Sequence, residues 1–229
     1  IVSNIDYLIS KKISDSYSLE SKQKTELKKD VITLLNEIRN PAKEIEIILS
    51  KFKVGSTLKT NELKKNYLLI LEKFLPLLSK YYATLSKEQT ILFFENEIIK
   101  NNEIADQISK TTPFTVKDKV QKYFGDINDR QMKVIREEIS LIIDLSKKRL
   151  SRRLKIQEAL KNAKTEQEVR NAFNIYIDTI QSNTKLENRF IMFVGELIKA
   201  SSKDQKEEIK DKKREIIELI NHFLETRYI

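Results

Sequence analysis

Along nearly the whole chain, apolar residues recur at spacings of three and four. That period puts them on one face of an α-helix of about 3.6 residues per turn, not on alternate faces of a strand. Val2, Ile5, Ile9 and Ile13 predict a short helix over 1–13, with Asp6 at the edge of its stripe and a loop over 15–18. Leu27, Val31, Leu34, Leu35 and Ile38 predict a second over 20–38. Asn40-Pro41 ends it and opens a third helix, since proline suits a first helical position. That helix carries Ile45, Ile48, Leu49 and Phe52 and stops near Gly55. A fourth, capped by Thr60, covers 61–82, and Pro76 within it should kink or split it.

The fifth helix, 86–109, places Ile91, Phe94, Ile98, Ala105 and Ile108 on one stripe, and Asn101 fills the remaining core-facing position. Pro113 breaks the chain before a short helix over 115–124 that ends at Gly125. A long helix then runs over 128–162, its core face reading Met132, Ile135, Ile139, Ile142, Ser146, Arg149, Arg153, Ile156 and Leu160. The last helices cover 165–182, 186–200 and 202–228.

Several of these starts share one design. Ser86 and Gln89, like Asn128 and Gln131, place a capping side chain three residues ahead of a glutamine. The cap accepts a hydrogen bond from a free N–H of the first turn, and the glutamine reaches back to the cap's own N–H. Thr165 with Glu168 and Ser202 with Gln205 repeat the box, and Glu20 to Gln23 is a looser copy.

Composition supports the helical reading. The 229 residues include three glycines and three prolines, too few for the tight turns of a sandwich or barrel. The predicted fold is all-α: a multi-helix bundle of about nine or ten helices, with the long helix joining two lobes. It forms a single domain over 1–229, with possible lobes over 1–145 and 146–229. No cysteine occurs, which removes thiol catalysis, disulfides and cysteine metal sites. Because the chain opens with Ile1, a processed or trimmed product is expected, any signal peptide already gone. The net charge of +9 would attract a polyanion, but most lysines alternate with glutamates, as on solvated helix surfaces.

Five motifs in order carry a resemblance. They are Asn4-Ile5-Asp6-Tyr7-Leu8; Leu85-Ser86-Lys87-Glu88-Gln89 with Asn101 downstream; Tyr123-Phe124-Gly125; the start from Ile127 to Gln131; and the basic helix from Lys147 to Lys155. Over about residues 2–155 the chain resembles a family of uncharacterised bacterial lipoproteins, in which an all-helical domain follows a lipidated cysteine just after the signal peptide. Two departures are Tyr7, where the family usually has Trp, and Thr111-Thr112-Pro113-Phe114, where it usually has an Arg run. The resemblance implies a periplasmic, membrane-anchored lipoprotein of the cell envelope, at the outer membrane. The anchor would be an N-terminal lipid absent from this chain. It brings no catalytic residues with it.

Candidate chemistry is confined to polar residues on apolar stripes. Arg149 and Arg153 fall within the apolar arc of their helix, while Lys148, Arg152 and Lys155 are expected to point away. A buried arginine needs a partner, so the pair either meets acids from another helix, lines a polar cleft, or covers apolar surface with its stems. Asn101 needs several hydrogen-bond partners, and Asp6 could join either arrangement. The basic patch of Lys147, Lys148, Arg152 and Lys155 would contact phosphate or lipid, or is simply a charged surface. His222, four residues after Glu218, is the only histidine and an improbable metal ligand. There is no phosphate loop, catalytic triad or metal-spaced motif.

These readings converge on a non-enzymatic binding or scaffolding domain without cofactor or metal. Its partner would be an envelope protein, peptidoglycan or anionic lipid. The alternative is a cytosolic, basic, helical nucleic-acid-binding protein; no specific nucleic-acid partner is expected, because the basic run lacks a reading motif.

Overall fold

The computed structural model describes residues 4–54, 59–182 and 184–228. Val2 and Gly55, two positions of the expected helices, lie outside them. Among the described residues there are eleven helices and no strand: α1 (Ile5–Tyr17), α2 (Ser21–Glu37), α3 (Arg39–Lys51), α4 (Thr60–Ala83), α5 (Lys87–Ser109), α6 (Pro113–Phe124), α7 (Asp129–Glu137), α8 (Ile139–Asn162), α9 (Glu166–Gln181), α10 (Thr184–Lys199) and α11 (Lys203–Glu225). The fold is an all-α multi-helix bundle, as its periodicity requires.

Boundaries differ from expectation where local physics is subtle. The first helix continues to Tyr17, because Tyr17 extends the stripe of Ile9 and Ile13 and is buried. α3 opens at Arg39, so Pro41 sits in its first turn, where its missing N–H costs nothing. Pro113 opens α6 instead of merely breaking the chain, with Thr112 as the cap. Thr60 is the first residue of α4 rather than its cap, and α4 runs through Pro76 without being split.

The largest correction concerns the long helix. It is interrupted at Glu138, which ends α7 and starts α8 with non-helical torsions (φ −105°, ψ 15°). No proline or glycine marks the break; the Glu138 carboxylate is instead held by Arg189 of α10 at 2.8 Å. The interruption rephases the helix. Leu141 becomes fully buried, and Ile139 and Ile142 are only half-buried.

Two apolar clusters form the interior. One gathers Ile13, Tyr17, Leu27, Val31, Leu35, Leu77, Tyr81, Tyr82 and Phe93 with Leu160, Val169, Ala172 and Phe223. The other holds Val116, Phe124, Ile135, Leu141, Phe193 and Leu197. Each combines residues from both sides of position 145, so the chain does not divide there into two lobes. α8 enters the second cluster at Leu141 and the first at Leu160, and α11 likewise touches both through Ile209 and Phe223. At the far end of α11, the Arg39 guanidinium donates to the carbonyls of Leu224 and Thr226 and lies near the rings of Phe223 and Tyr228. A cation there satisfies carbonyls that a helix end leaves free.

The repeated helix starts meet in pairs. Gln89 Nε2 donates to the Ser18 carbonyl (2.8 Å), and Gln23 Nε2 donates back to the Thr84 carbonyl (3.3 Å). Each target lies just ahead of the partner helix. At the other end, Gln205 Nε2 donates to Gln131 Oε1 (2.9 Å), and the Asn128 amide donates to the Ala200 carbonyl (3.0 Å). Gln131 is fully buried and also donates to the Leu197 carbonyl and Ser201 Oγ. The capping glutamine thus does two jobs, closing its own helix start and bonding a second one.

Candidate functional site

α5 presents Gln89, Phe93, Glu97 and Asn101 in a row, one every fourth residue, toward the protein. Expectation held for Asn101, which is buried. It failed for Ile91, Ile98 and Ala105, which are exposed, because the row that packs is the polar one. α8 answers this row with Arg153 and Gln157, one turn apart.

The four polar side chains form a closed network. Arg153 donates from Nε to Asn101 Oδ1 (3.0 Å) and from its terminal nitrogen to Glu97 Oε2 (2.6 Å). Gln157 Nε2 donates to Glu97 Oε2 (2.9 Å), and Asn101 Nδ2 donates to Gln157 Oε1 (2.7 Å). Lys100 adds a bond to the other Glu97 oxygen (3.0 Å). The Glu97 side chain is 13% exposed and that of Arg153 25%, so the pair is largely withdrawn from water. A partly buried cation and anion tolerate this only because their remaining lone pairs and N–H groups are also used.

The network forms one wall of a cleft of about 560 Å³ enclosed by α1, α4, α5, α8 and α9. Its floor is apolar: Phe74, Leu75, Leu78, Phe93, Leu160 and Phe173. Behind it, Tyr82 packs edge-to-face on Tyr17, Phe93 and Phe173, with ring centroids 5.4–6.3 Å apart. Such offset aromatic contacts fix the wall beyond what area burial alone would. Burial, with the nearby Tyr82 and Glu97, raises the Tyr17 phenol well above its ordinary value, and its hydroxyl points to the Leu78 carbonyl (3.5 Å).

The rim is cationic. Lys12, Arg149, Arg152 and Arg153 line the cleft against a single carboxylate, Glu97. Arg152 stacks on Tyr176, with its guanidinium carbon 4.2 Å from the ring centroid, and its buried Nε has no hydrogen-bond partner. The Tyr176 hydroxyl is 3.2 Å from that of Tyr67. Burial first, then this contact, pushes the Tyr67 phenol up to about 12.

The expected site residues therefore separate. Asn101 and Arg153 do come together across two helices. Arg149 is exposed at the cleft and makes no ion pair among the described residues. Asp6 does not join the cluster. It lies near Tyr228, whose phenol is raised mainly by burial and partly by this carboxylate. Nor do the basic residues form one outward patch. Lys147 and Lys155 are exposed, but Lys148 and Arg152, expected to point away, are half-buried. α8 is unbroken over this stretch, and Leu160 and Arg153 keep their expected side. The difference lies in what packs there: the helix borders the open cleft at Arg149, and Arg152 stacks on Tyr176 of α9.

Glu97, Gln157, Lys12 and Tyr176 were not singled out from sequence. A signal for Glu97 existed, since it completes the fourfold row between Phe93 and Asn101, but the apolar residues of α5 outvoted that row. His222 is exposed on α11, and no group of metal-ligating residues is assembled among the described residues. No helix among them is long and apolar enough to cross a membrane. Comparison with protein-family models, curated proteins and solved structures gave no match.

Proposed function

We propose that the chain is a non-enzymatic binding domain of a bacterial cell-envelope lipoprotein, and that the cleft of α1, α4, α5, α8 and α9 is its ligand site. The observation carrying the binding role is the preformed cleft itself, with an apolar floor and a few convergent polar groups. Small-molecule sites have that make-up, and about 300–1,000 Å³ is their usual size. The resemblance of residues 2–155 supplies the envelope address. Binding is favoured over catalysis because the one carboxylate in the cleft is occupied by Arg153, Gln157 and Lys100. It holds the wall in place and has no proton-acceptor task free.

Two measurements test this reading. Purified protein should enhance the fluorescence of the neutral probe N-phenylnaphthylamine, and Leu71→Trp, which fills the cleft from α4, should abolish the enhancement without unfolding the chain. Lack of probe binding by the unsubstituted protein would contradict the ligand site. The encoded sequence ahead of Ile1 should contain a signal peptide ending in a small residue followed by cysteine; a plain cytosolic start would contradict the envelope address.

A further inference from the structure

Taking the cleft as the ligand site, we infer that its ligand is an anionic amphiphile with a single acyl chain: a free fatty acid or a lysophospholipid. The apolar floor accounts for the chain. Six large side chains from four helices, Phe74, Leu75, Leu78, Phe93, Leu160 and Phe173, present a surface with no polar atom to satisfy. A hydrocarbon loses nothing there and gains about fourfold in affinity for each methylene withdrawn from water. The volume of about 560 Å³ suits one chain. A second chain of the same length would have to remain in water.

The rim accounts for the charge. Four cations and one carboxylate line the cleft, and Arg153 and Glu97 cancel each other through their 2.6 Å ion pair. Lys12, Arg149 and Arg152 remain without a carboxylate partner among the described residues. Arg152 is the most telling of these. Stacking on Tyr176 fixes its plane, yet its buried Nε–H donates to nothing. The Nε itself is closed off by protein, so an anion in the cleft would be met by the rest of the guanidinium, which has no carboxylate partner among the described residues. A planar guanidinium held in this way is suited to an oxyanion, either carboxylate or phosphate. The ring of Tyr176 and the apolar floor are continuous, so head and chain can be held at once.

Competition against N-phenylnaphthylamine, with the complete 229-residue chain, tests the inference. The competitors are palmitate, hexadecanol and a palmitoyl lysophosphatidylglycerol, which share a chain and differ in the head. Palmitate or the lysophospholipid should displace the probe at least tenfold more tightly than hexadecanol, and the tighter of the two identifies the head. Arg149→Glu, at an exposed position that cannot unfold the chain, should weaken the anionic competitor at least tenfold and leave hexadecanol unchanged. Raising the salt should act in the same direction, since a partly exposed ion pair is screened. If hexadecanol binds as tightly as both anions, the anionic class falls while the cleft remains a ligand site. If the probe binds and no amphiphile displaces it, the acyl chain falls as well. Failure of the probe itself to bind defeats the underlying reading.

Discussion

Two polar clusters sit between helices of this protein, and they are built to opposite ends. Where α7 and α11 begin, Gln131, Gln205, Asn128 and Ser201 bond one another and the adjacent carbonyls. Gln131 has no solvent exposure and all these groups are neutral. Between α5 and α8, Glu97, Asn101, Arg153 and Gln157 bond one another too, but this cluster is charged, partly exposed and borders a 560 Å³ cleft with further cations on its rim. The closed cluster has every reason to be structural. The open one has Lys12, Arg149 and Arg152 beside it without a carboxylate partner among the described residues, an excess of charge that a purely structural cluster does not need.

The contrast can be broken first by Gln131→Leu. This change strands the Asn128 N–H and removes one partner each from the Gln205 amide and the Ser201 hydroxyl, which keep the carbonyls of Asp126 and Leu197. Stability measured by urea unfolding should fall by about 3 kcal/mol, with probe binding in the cleft intact. A fall below about 1 kcal/mol would mean that the junction does not hold the helix starts together.

Gly125 just ahead of the same junction comes next. Its torsions (φ 66°, ψ −153°) lie where side chains are strained, and an added Cβ would approach the Glu208 carboxylate oxygen to 2.3 Å. The carboxylate can swing aside, so the backbone strain dominates, and Gly125→Ala should cost about 2 kcal/mol. An unchanged midpoint would show that the turn relaxes freely.

Removing the caps should rank the two paired junctions. Asn128→Ala loses both a cap bond and the bond to Ala200, whereas Ser86→Ala loses a cap bond and an exposed contact with Glu88. Both should destabilise by about 0.5–2 kcal/mol, Asn128 by the larger amount. The reverse order in parallel urea titrations would undo the ranking.

Smaller effects are expected at the cleft. Arg153→Ala leaves Glu97 with Lys100 and Gln157, so the fully buried penalty does not apply, and a loss of about 1 kcal/mol is expected. Arg149→Ala should alter stability by less than about 0.5 kcal/mol, as at an exposed site. A larger loss for Arg149 than for Arg153 would make the rim structural.

Alkali offers a further distinction. The closed junction is made of amides and hydroxyls with nothing to titrate near neutrality. Around the cleft, the phenols of Tyr67 and Tyr82 are pushed up to about 12, in both cases chiefly by burial. Their contribution to folding is fully present below the ordinary phenol value of 10.0 and is lost as pH rises through about 12. Urea midpoints should thus fall over that window, and Tyr67→Phe should flatten part of the decline. An unaltered decline in the Tyr67 variant would remove that phenol from the account.

How far the sequence revealed this arrangement depends on which signal was local. The helix starts were legible because cap and glutamine lie three residues apart. Their pairing was not, because it joins residues such as Gln131 and Gln205 that are distant in the chain. The buried Asn101 and the cross-helix role of Arg153 followed from phase alone. The break between α7 and α8 was not legible, since at Glu138 it coincides with Arg189 from α10 and with no proline or glycine. α5 misled through composition: Ile91, Ile98 and Ile99 are exposed, while the polar row of Gln89, Glu97 and Asn101 faces inward. The cleft itself was invisible, because five helices separated along the chain build it.

The ligand site in the cleft is most directly tested by an arginine Nε–H nuclear magnetic resonance spectrum, recorded with and without palmitate. The Arg152 resonance should move as its guanidinium meets the carboxylate head, and that of Arg39, already donating to the end of α11, should stay in place. An Arg152 resonance unmoved at saturating palmitate, or one that moves no more than that of Arg39, would contradict the account.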